Sequence, residues 1–153
     1  MLTFKVLVMI IMFEEGFSSG VYKDHLGYDT VGYGFRVYEG DRRQYNKGDA
    51  KSELSHRVSR LIYNISRDKV LSKVFFATNK NGRAVMTLMA YQVGVNGLAK
   101  FKGFISALES GRILLAKKEM LDSLWAKQTP ERARRTARLL DTHYTKIYKG
   151  IAR

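Results

Sequence analysis

Glu15, Asp24 and Thr30 are the residues of this chain whose types and spacing could carry chemistry. Cleaving the bond between two sugars takes two carboxyl groups on opposite sides of that bond, one protonated and one ionised. Glu15 closes an apolar helical stretch and follows Leu7 and Ile11 at steps of four, so all three share one face. Desolvation at such a place favours a neutral carboxyl, which can protonate a leaving oxygen. Asp24 falls in the polar turn Tyr22-Lys23-Asp24-His25, where water and a neighbouring ammonium would keep it ionised. Thr30 opens a strand six residues later, and its hydroxyl could hold a water against Asp24. Together they make an acid, a base and a water clamp.

The elements that must position these residues can be read from periodicity. Met1 to Phe13 is nearly all apolar, but it is interrupted by Lys5 and falls short of the roughly 20 residues a bilayer span needs. It also enters Glu14-Glu15 directly, without the small-residue cleavage site of an export signal. A buried amphipathic helix is the expectation. Residues 21–38 alternate Tyr, Val, Thr and Phe with Gly, which predicts a small twisted sheet with tight turns at His25 to Gly27 and near Gly40. Tyr45 to Gly48 reads as loop and Asp49 as an N-cap, after which Leu54, Val58, Leu61, Ile62 and Ile65 keep helical spacing. Helices are expected for the remainder: around 70–76, 84–93, 102–109 and 112–127, then one opened by Thr129-Pro130 that carries Arg132, Arg135 and Arg138 on one face. The fold class is therefore α+β. A small N-terminal lobe, about 14–50, is joined by a linking helix, about 50–66, to a helical lobe, about 67–153, against which helix 1–13 packs.

Composition narrows the partners. With 153 residues there is room for one compact domain or two small lobes sharing a helix. The absence of cysteine excludes disulfides, thiolate nucleophiles and Cys-ligated zinc, and three scattered histidines make a metal site a poor expectation. The net charge of +13 is uneven: residues 1–56 sum to −1 and residues 57–153 to +14. A field of that sign implies a polyanionic partner, whether nucleic acid, a membrane surface or an anionic cell wall, without selecting among them. No helix-turn-helix, RNA-recognition or zinc-finger pattern supports nucleic acid. A cationic membrane- or nucleic-acid-binding protein without hydrolase activity is the alternative to an enzyme.

The surroundings of the three residues carry a resemblance. Phe13-Glu14-Glu15-Gly16-Phe17, Val21-Tyr22-Lys23-Asp24 and Gly27-Tyr28-Asp29-Thr30-Val31-Gly32-Tyr33-Gly34 resemble the active-site stretch of phage-type lysozymes, nearest to the T-even phage group, also called endolysins. Two later blocks, Ala90 to Phe101 and Ser123 to Arg135, look like helices of the same family's C-terminal lobe. The similarity covers residues 13–34 and 84–135 and is weak over 36–80. It implies a lysozyme-like fold with a cleft between the lobes. The implied activity is that of a muramidase cutting the β-1,4 bond between N-acetylmuramic acid and N-acetylglucosamine in peptidoglycan. Glu15 then matches the general acid, Asp24 the second carboxylate and Thr30 the residue that orients water. Arg132 matches an arginine facing the acid across the cleft, and Tyr91 and Arg36 match cleft positions.

Phe104 and Glu119 fall on further family sugar contacts but differ from them in residue type, and Phe35 stands where the family commonly has His. Some positions keep two readings. Tyr91 follows Leu88 at a step of three, so core packing and sugar contact are both open. Gln128 could bind sugar or merely cap a turn. Trp125 reads as core, sharing helical spacing with Leu121 and Leu124, and His25 and His56 read as surface. No cofactor is called for. A monomer is expected, and so is inversion of the anomeric centre, since Thr30 needs space for a water; carboxyl groups about 5 Å apart would instead give retention. The resemblance also bears on location: the protein would accumulate in the cytoplasm of an infected bacterium and reach the wall through a membrane lesion made by another protein.

Overall fold

A computed structural model describes residues 2–151; Met1, Ala152 and Arg153, at the ends of the expected N-terminal helix and helical lobe, lie outside the described residues. The architecture is α+β, a small antiparallel sheet near the N-terminus followed by helices. The first helix, α1 (Phe4–Glu15), opens where Thr3 accepts a hydrogen bond from the Val6 N–H and closes at Gly16, whose φ of 69° favours glycine. It carries Glu14 and Glu15 on its last turn, in keeping with the spacing of Glu15 after Leu7 and Ile11. Val6, Leu7, Val8, Ile10 and Ile11 are all buried, more of its circumference than an amphipathic stripe covers.

The sheet comprises β1 (Ser18–Lys23), β2 (Asp29–Gly32) and β3 (Phe35–Arg36) in sequential order. It begins three residues earlier than periodicity implied and includes a tight turn at Tyr33-Gly34, where Gly34 has a φ of 84°. In the register Tyr22 pairs with Thr30 and Thr30 with Arg36, so one row across three strands faces the same way. The next pair, Lys23 and Asp29, forms an ion pair of 2.7 Å, and Gly40 donates its N–H to the same aspartate at 2.7 Å. The sheet is pinned to its following loop.

The linking helix α2 (Lys47–Arg67) starts inside the expected loop. Asn46 is its N-cap and accepts from the Asp49 N–H, while its own amide donates to the Asp49 carboxylate. Asp49 is therefore the third helical residue, not the cap, because the longer reciprocal pair satisfies two groups at once. Next come α3 (Leu71–Ala77) and α4 (Lys80–Ala99), the latter bent where Gly94 takes a φ of 79°. The expected helix over 112–127 is two helices, α6 (Ile113–Leu121) following α5 (Lys102–Glu109), then α7 (Leu124–Gln128). Ser123 interrupts it by capping the Ala126 N–H. The break removes the stripe expected of Leu121, Leu124 and Trp125. Leu121 and Leu124 are exposed, and Trp125 alone is buried, edge-on to Phe101 with its indole N–H on Gln92.

The last helices are α8 (Pro130–Arg138) and α9 (Tyr144–Ile147). Pro130 sits at the first helical position as expected, but Thr129 makes no cap hydrogen bond; its hydroxyl donates back to the Trp125 carbonyl. One continuous set of buried residues runs from α1 through Val31 and Phe35 of the sheet into α2, α4 and α8. The site is hung on a shared core. Among the described residues no helix is long and apolar enough to cross a membrane.

Candidate active site

A cleft of about 960 Å³ opens between the sheet and the helices. Glu15, Asp24, Thr30, Arg36, Tyr91 and Arg132 all line it. Gln128 does not; it is exposed at the end of α7, and Thr129 is the nearest residue in sequence to reach the cleft wall. The helix ends one residue short of it.

Glu15 arrives at the cleft on the last turn of α1, with Gly16 turning the chain away. An apolar pocket was the expectation for its carboxyl, but Oε1 lies 2.7 Å from Arg132 Nη1, both side chains being mostly buried. Arg132 faces it from the first turn of α8, which its spacing after Thr129-Pro130 directs inward. The other terminal nitrogen of Arg132, Nη2, is buried without a hydrogen-bond acceptor among the described residues. Gly34 supports the acid from the sheet. A Cβ at that position would fall 2.9 Å from Glu15 Oε2, so only glycine accepts both the turn and the neighbour.

Asp24 sits in the turn between β1 and β2. Its Oδ1 accepts from the backbone N–H groups of Leu26 and Tyr28, both at 2.9 Å, and Oδ2 lies 4.0 Å from Arg36 Nε. The Tyr28 N–H first, then the Leu26 N–H and the charges of Arg36 and His25, hold the Asp24 carboxyl below the usual carboxylate range against partial desolvation. The cation beside it is thus the guanidinium of Arg36, stacked over the Tyr28 ring at 4.0 Å, because the Lys23 ammonium is taken by Asp29. Thr30 is buried, and its hydroxyl donates to the Tyr28 carbonyl at 2.9 Å. With its proton committed, the Thr30 oxygen can act toward a water only as an acceptor.

Tyr91 has a structural partner as well as a place at the cleft. It reaches the cleft wall, but its hydroxyl donates to the Tyr33 carbonyl at 2.6 Å, tying α4 to the turn that carries Gly34. Burial, then the Glu15 carboxylate, push its phenol well above the ordinary tyrosine range. Phe104 and Glu119 line a separate groove with Lys100, Lys102 and Asp122, and Phe104 is buried. Phe35 is also buried, edge-on to Tyr45 and beneath the Arg57 guanidinium at 4.4 Å, so the position at which the resemblance implies His is core here.

Several cleft residues had no signal in their own spacing. Tyr22 lines the cleft; burial, then Glu15, then Asp24 raise its phenol pKa. His25, read as surface, is exposed but also lines the cleft. Arg135 lines it too and forms a two-pronged pair with Glu14, at 2.8 and 2.9 Å.

Comparison with known proteins agrees with this geometry: residues 13–139 match the phage lysozyme family. The chain belongs to the phage lysozyme family. Its members are glycoside hydrolases. Among curated relatives, the pre-baseplate central spike protein Gp5 of Enterobacteria phage T4 is 31% identical over 157 residues, which cover 88% of this chain and 27% of that protein. The chain thus spans about a quarter of the spike protein. Two proteins of Dictyostelium discoideum, probable T4-type lysozymes 2 and 1, are 23% and 24% identical over 163 residues, covering 92% of this chain and 96% of each relative.

Proposed function

We propose that this lysozyme-family chain is a muramidase that hydrolyses the β-1,4 bond between N-acetylmuramic acid and N-acetylglucosamine in peptidoglycan with inversion. The observation that carries the reading is that Glu15, Asp24 and Thr30 line one cleft. Glu15 gives its proton to the glycosidic oxygen as the bond to the anomeric carbon breaks. A water donates one hydrogen to Thr30 Oγ1 and the other to the Asp24 carboxylate, which leaves a lone pair free for the opposite face of that carbon. Asp24 then takes the proton, so one water is consumed and each fragment keeps a hydroxyl. Arg132 borders the cleft beside the acid, and Arg36 flanks the water side.

The chain acts as a monomer, with the basic half attracting it to anionic wall. Its place of work is the wall of an infected bacterium, reached from the cytoplasm through a lesion in the membrane at the end of infection.

Inversion requires the two carboxyl groups to stand about 6.5–9.5 Å apart, leaving room for the water. Early products of a peptidoglycan digest, followed by proton NMR before mutarotation, are expected to carry the α configuration at the new reducing end. A β product seen first would replace the water mechanism with a covalent one.

The glycine beside the acid offers a second check. Gly34→Ala places a Cβ against Glu15 Oε2 and strains a positive-φ position. Stability is expected to fall by about 1–2 kcal/mol from the backbone alone. Initial clearing rates are expected to fall at least about tenfold, since small displacements of a reacting group are expensive.

A further inference from the structure

Glu14 is not needed by the mechanism, yet its side chain is among the most enclosed carboxylates of the molecule, with 3% exposure. It accepts from Arg135 Nε and Nη2 and from the hydroxyl of Tyr148 at 3.0 Å, residues 121 and 134 positions away. Phe13 covers this cluster, edge-on to the Tyr148 ring and beneath the Arg135 guanidinium. Two Glu–Arg pairs therefore lie side by side: Glu14 with Arg135, and Glu15 with Arg132, one helical turn away on α8. Both guanidinium groups border the cleft. Two cations one turn apart on α8 thus face two adjacent carboxylates on α1.

We propose that Glu14 is a positioning residue that reserves Arg135, so that the Glu15 carboxyl faces one guanidinium, Arg132, instead of two. The inference rests on Glu15 being the acid. An acid must hold a proton in the filled cleft, and each additional guanidinium at the carboxyl favours losing it. The bidentate geometry holds the Arg135 fork on Glu14, and the Tyr148 hydroxyl, donating to the same carboxylate, fixes Glu14 in place. The hydrogen bond from Arg135 to Glu14, ahead of their charge attraction, raises the Arg135 pKa further. Glu15 also faces Tyr22 from β1 and Tyr91 from α4, with Arg57 of α2 near the latter. Asp24, His25 and Arg36 border the cleft from the sheet side. None of these groups changes in the test below.

The test compares pH–rate profiles of the full chain on peptidoglycan for the unaltered protein, Glu14→Gln, Arg135→Gln and the double variant. In Glu14→Gln the freed guanidinium can turn to Glu15. The alkaline limb of kcat is then expected to move down by about one pH unit, with kcat near neutrality falling about tenfold and KM little changed. In the double variant the limb is expected to return, although the packing loss is greater than in the single variant. That recovery separates a charge role from a structural one. Should Glu14→Gln fail to fold, Arg135→Gln alone decides, because removing the cation and leaving the Glu14 carboxylate beside Glu15 is expected to move the limb up. An alkaline limb unmoved in the variants, or not restored in the double variant, overturns the reservation by Glu14. Retained activity in Glu15→Gln would instead overturn the assignment of the acid.

Discussion

Glu15→Gln is expected to lower kcat for peptidoglycan hydrolysis by about a thousandfold or more, equivalent to about 4 kcal/mol of transition-state stabilisation. The amide cannot supply a proton to the glycosidic oxygen, so the leaving alkoxide departs unprotonated. The fold is expected to survive. Arg132 Nη1, now 2.7 Å from a carboxylate oxygen, keeps a neutral acceptor in the glutamine oxygen. Stability should therefore change by about 1 kcal/mol or less, a shift of a few degrees in the melting midpoint for a chain of this length. Turbidity clearing and thermal melting on the same preparation provide the check. A variant that clears walls at the parental rate would remove Glu15 from the chemistry, whereas one that does not fold would show that the ion pair holds the lobes together.

The second large effect is expected at Asp24→Asn. Asn keeps the oxygen that receives the Leu26 and Tyr28 N–H groups, so the turn between β1 and β2 retains its hydrogen bonds. On the other side the carboxylate oxygen facing Arg36 becomes an NH2 group, a donor set against a cation. The variant therefore loses both the proton acceptor for the water and the attraction that fixes Arg36. A fall of about 10²- to 10⁴-fold in kcat is expected. Adding azide to the assay distinguishes the two losses. A small anion that needs no base is expected to restore turnover by capturing the anomeric carbon, giving a glycosyl azide detectable by mass spectrometry. No rescue and no loss of KM-level binding would assign Asp24 to the turn alone.

How much of this was legible beforehand depends on how local each arrangement is. Glu15, Asp24 and Thr30 sit within sixteen residues, on a helix end, a turn and a strand that follow one another, and each element declares itself in apolar spacing and glycine placement. Arg132 was reached only through the family resemblance, because the chain returns to Glu15 after more than a hundred residues. Glu14 had no signal at all. A Glu-Glu pair at a helix end normally means solvent, and nothing near it in sequence indicates that Arg135 and Tyr148 will enclose it. The arginines of α8, an ordinary solvated face by composition, turn out to divide their duties: Arg132 and Arg135 meet α1 and the cleft, while Arg138 is exposed. The misplaced cap of α2 and the split at Ser123 have a different cause. Both depend on which of several short polar side chains captures a backbone N–H, a choice worth about 1 kcal/mol that periodicity cannot rank.

By itself, then, the order of residues determined the element types, the class of fold and the trio on which hydrolysis is proposed to rest. The first two follow from short-range backbone preference and from the period of apolar side chains, and the trio from the family resemblance of the residues around it. Only the tertiary structure decided what stands opposite each of the three. The guanidinium on Glu15, the two N–H groups and Arg36 on Asp24, and the carbonyl that commits the Thr30 proton all depend on the packed arrangement. So does the enclosure of Glu14. Hydrogen bonds and ion pairs act over a few ångströms, and burial strengthens them, so the partners of a charged group are known only once the core has brought distant segments together.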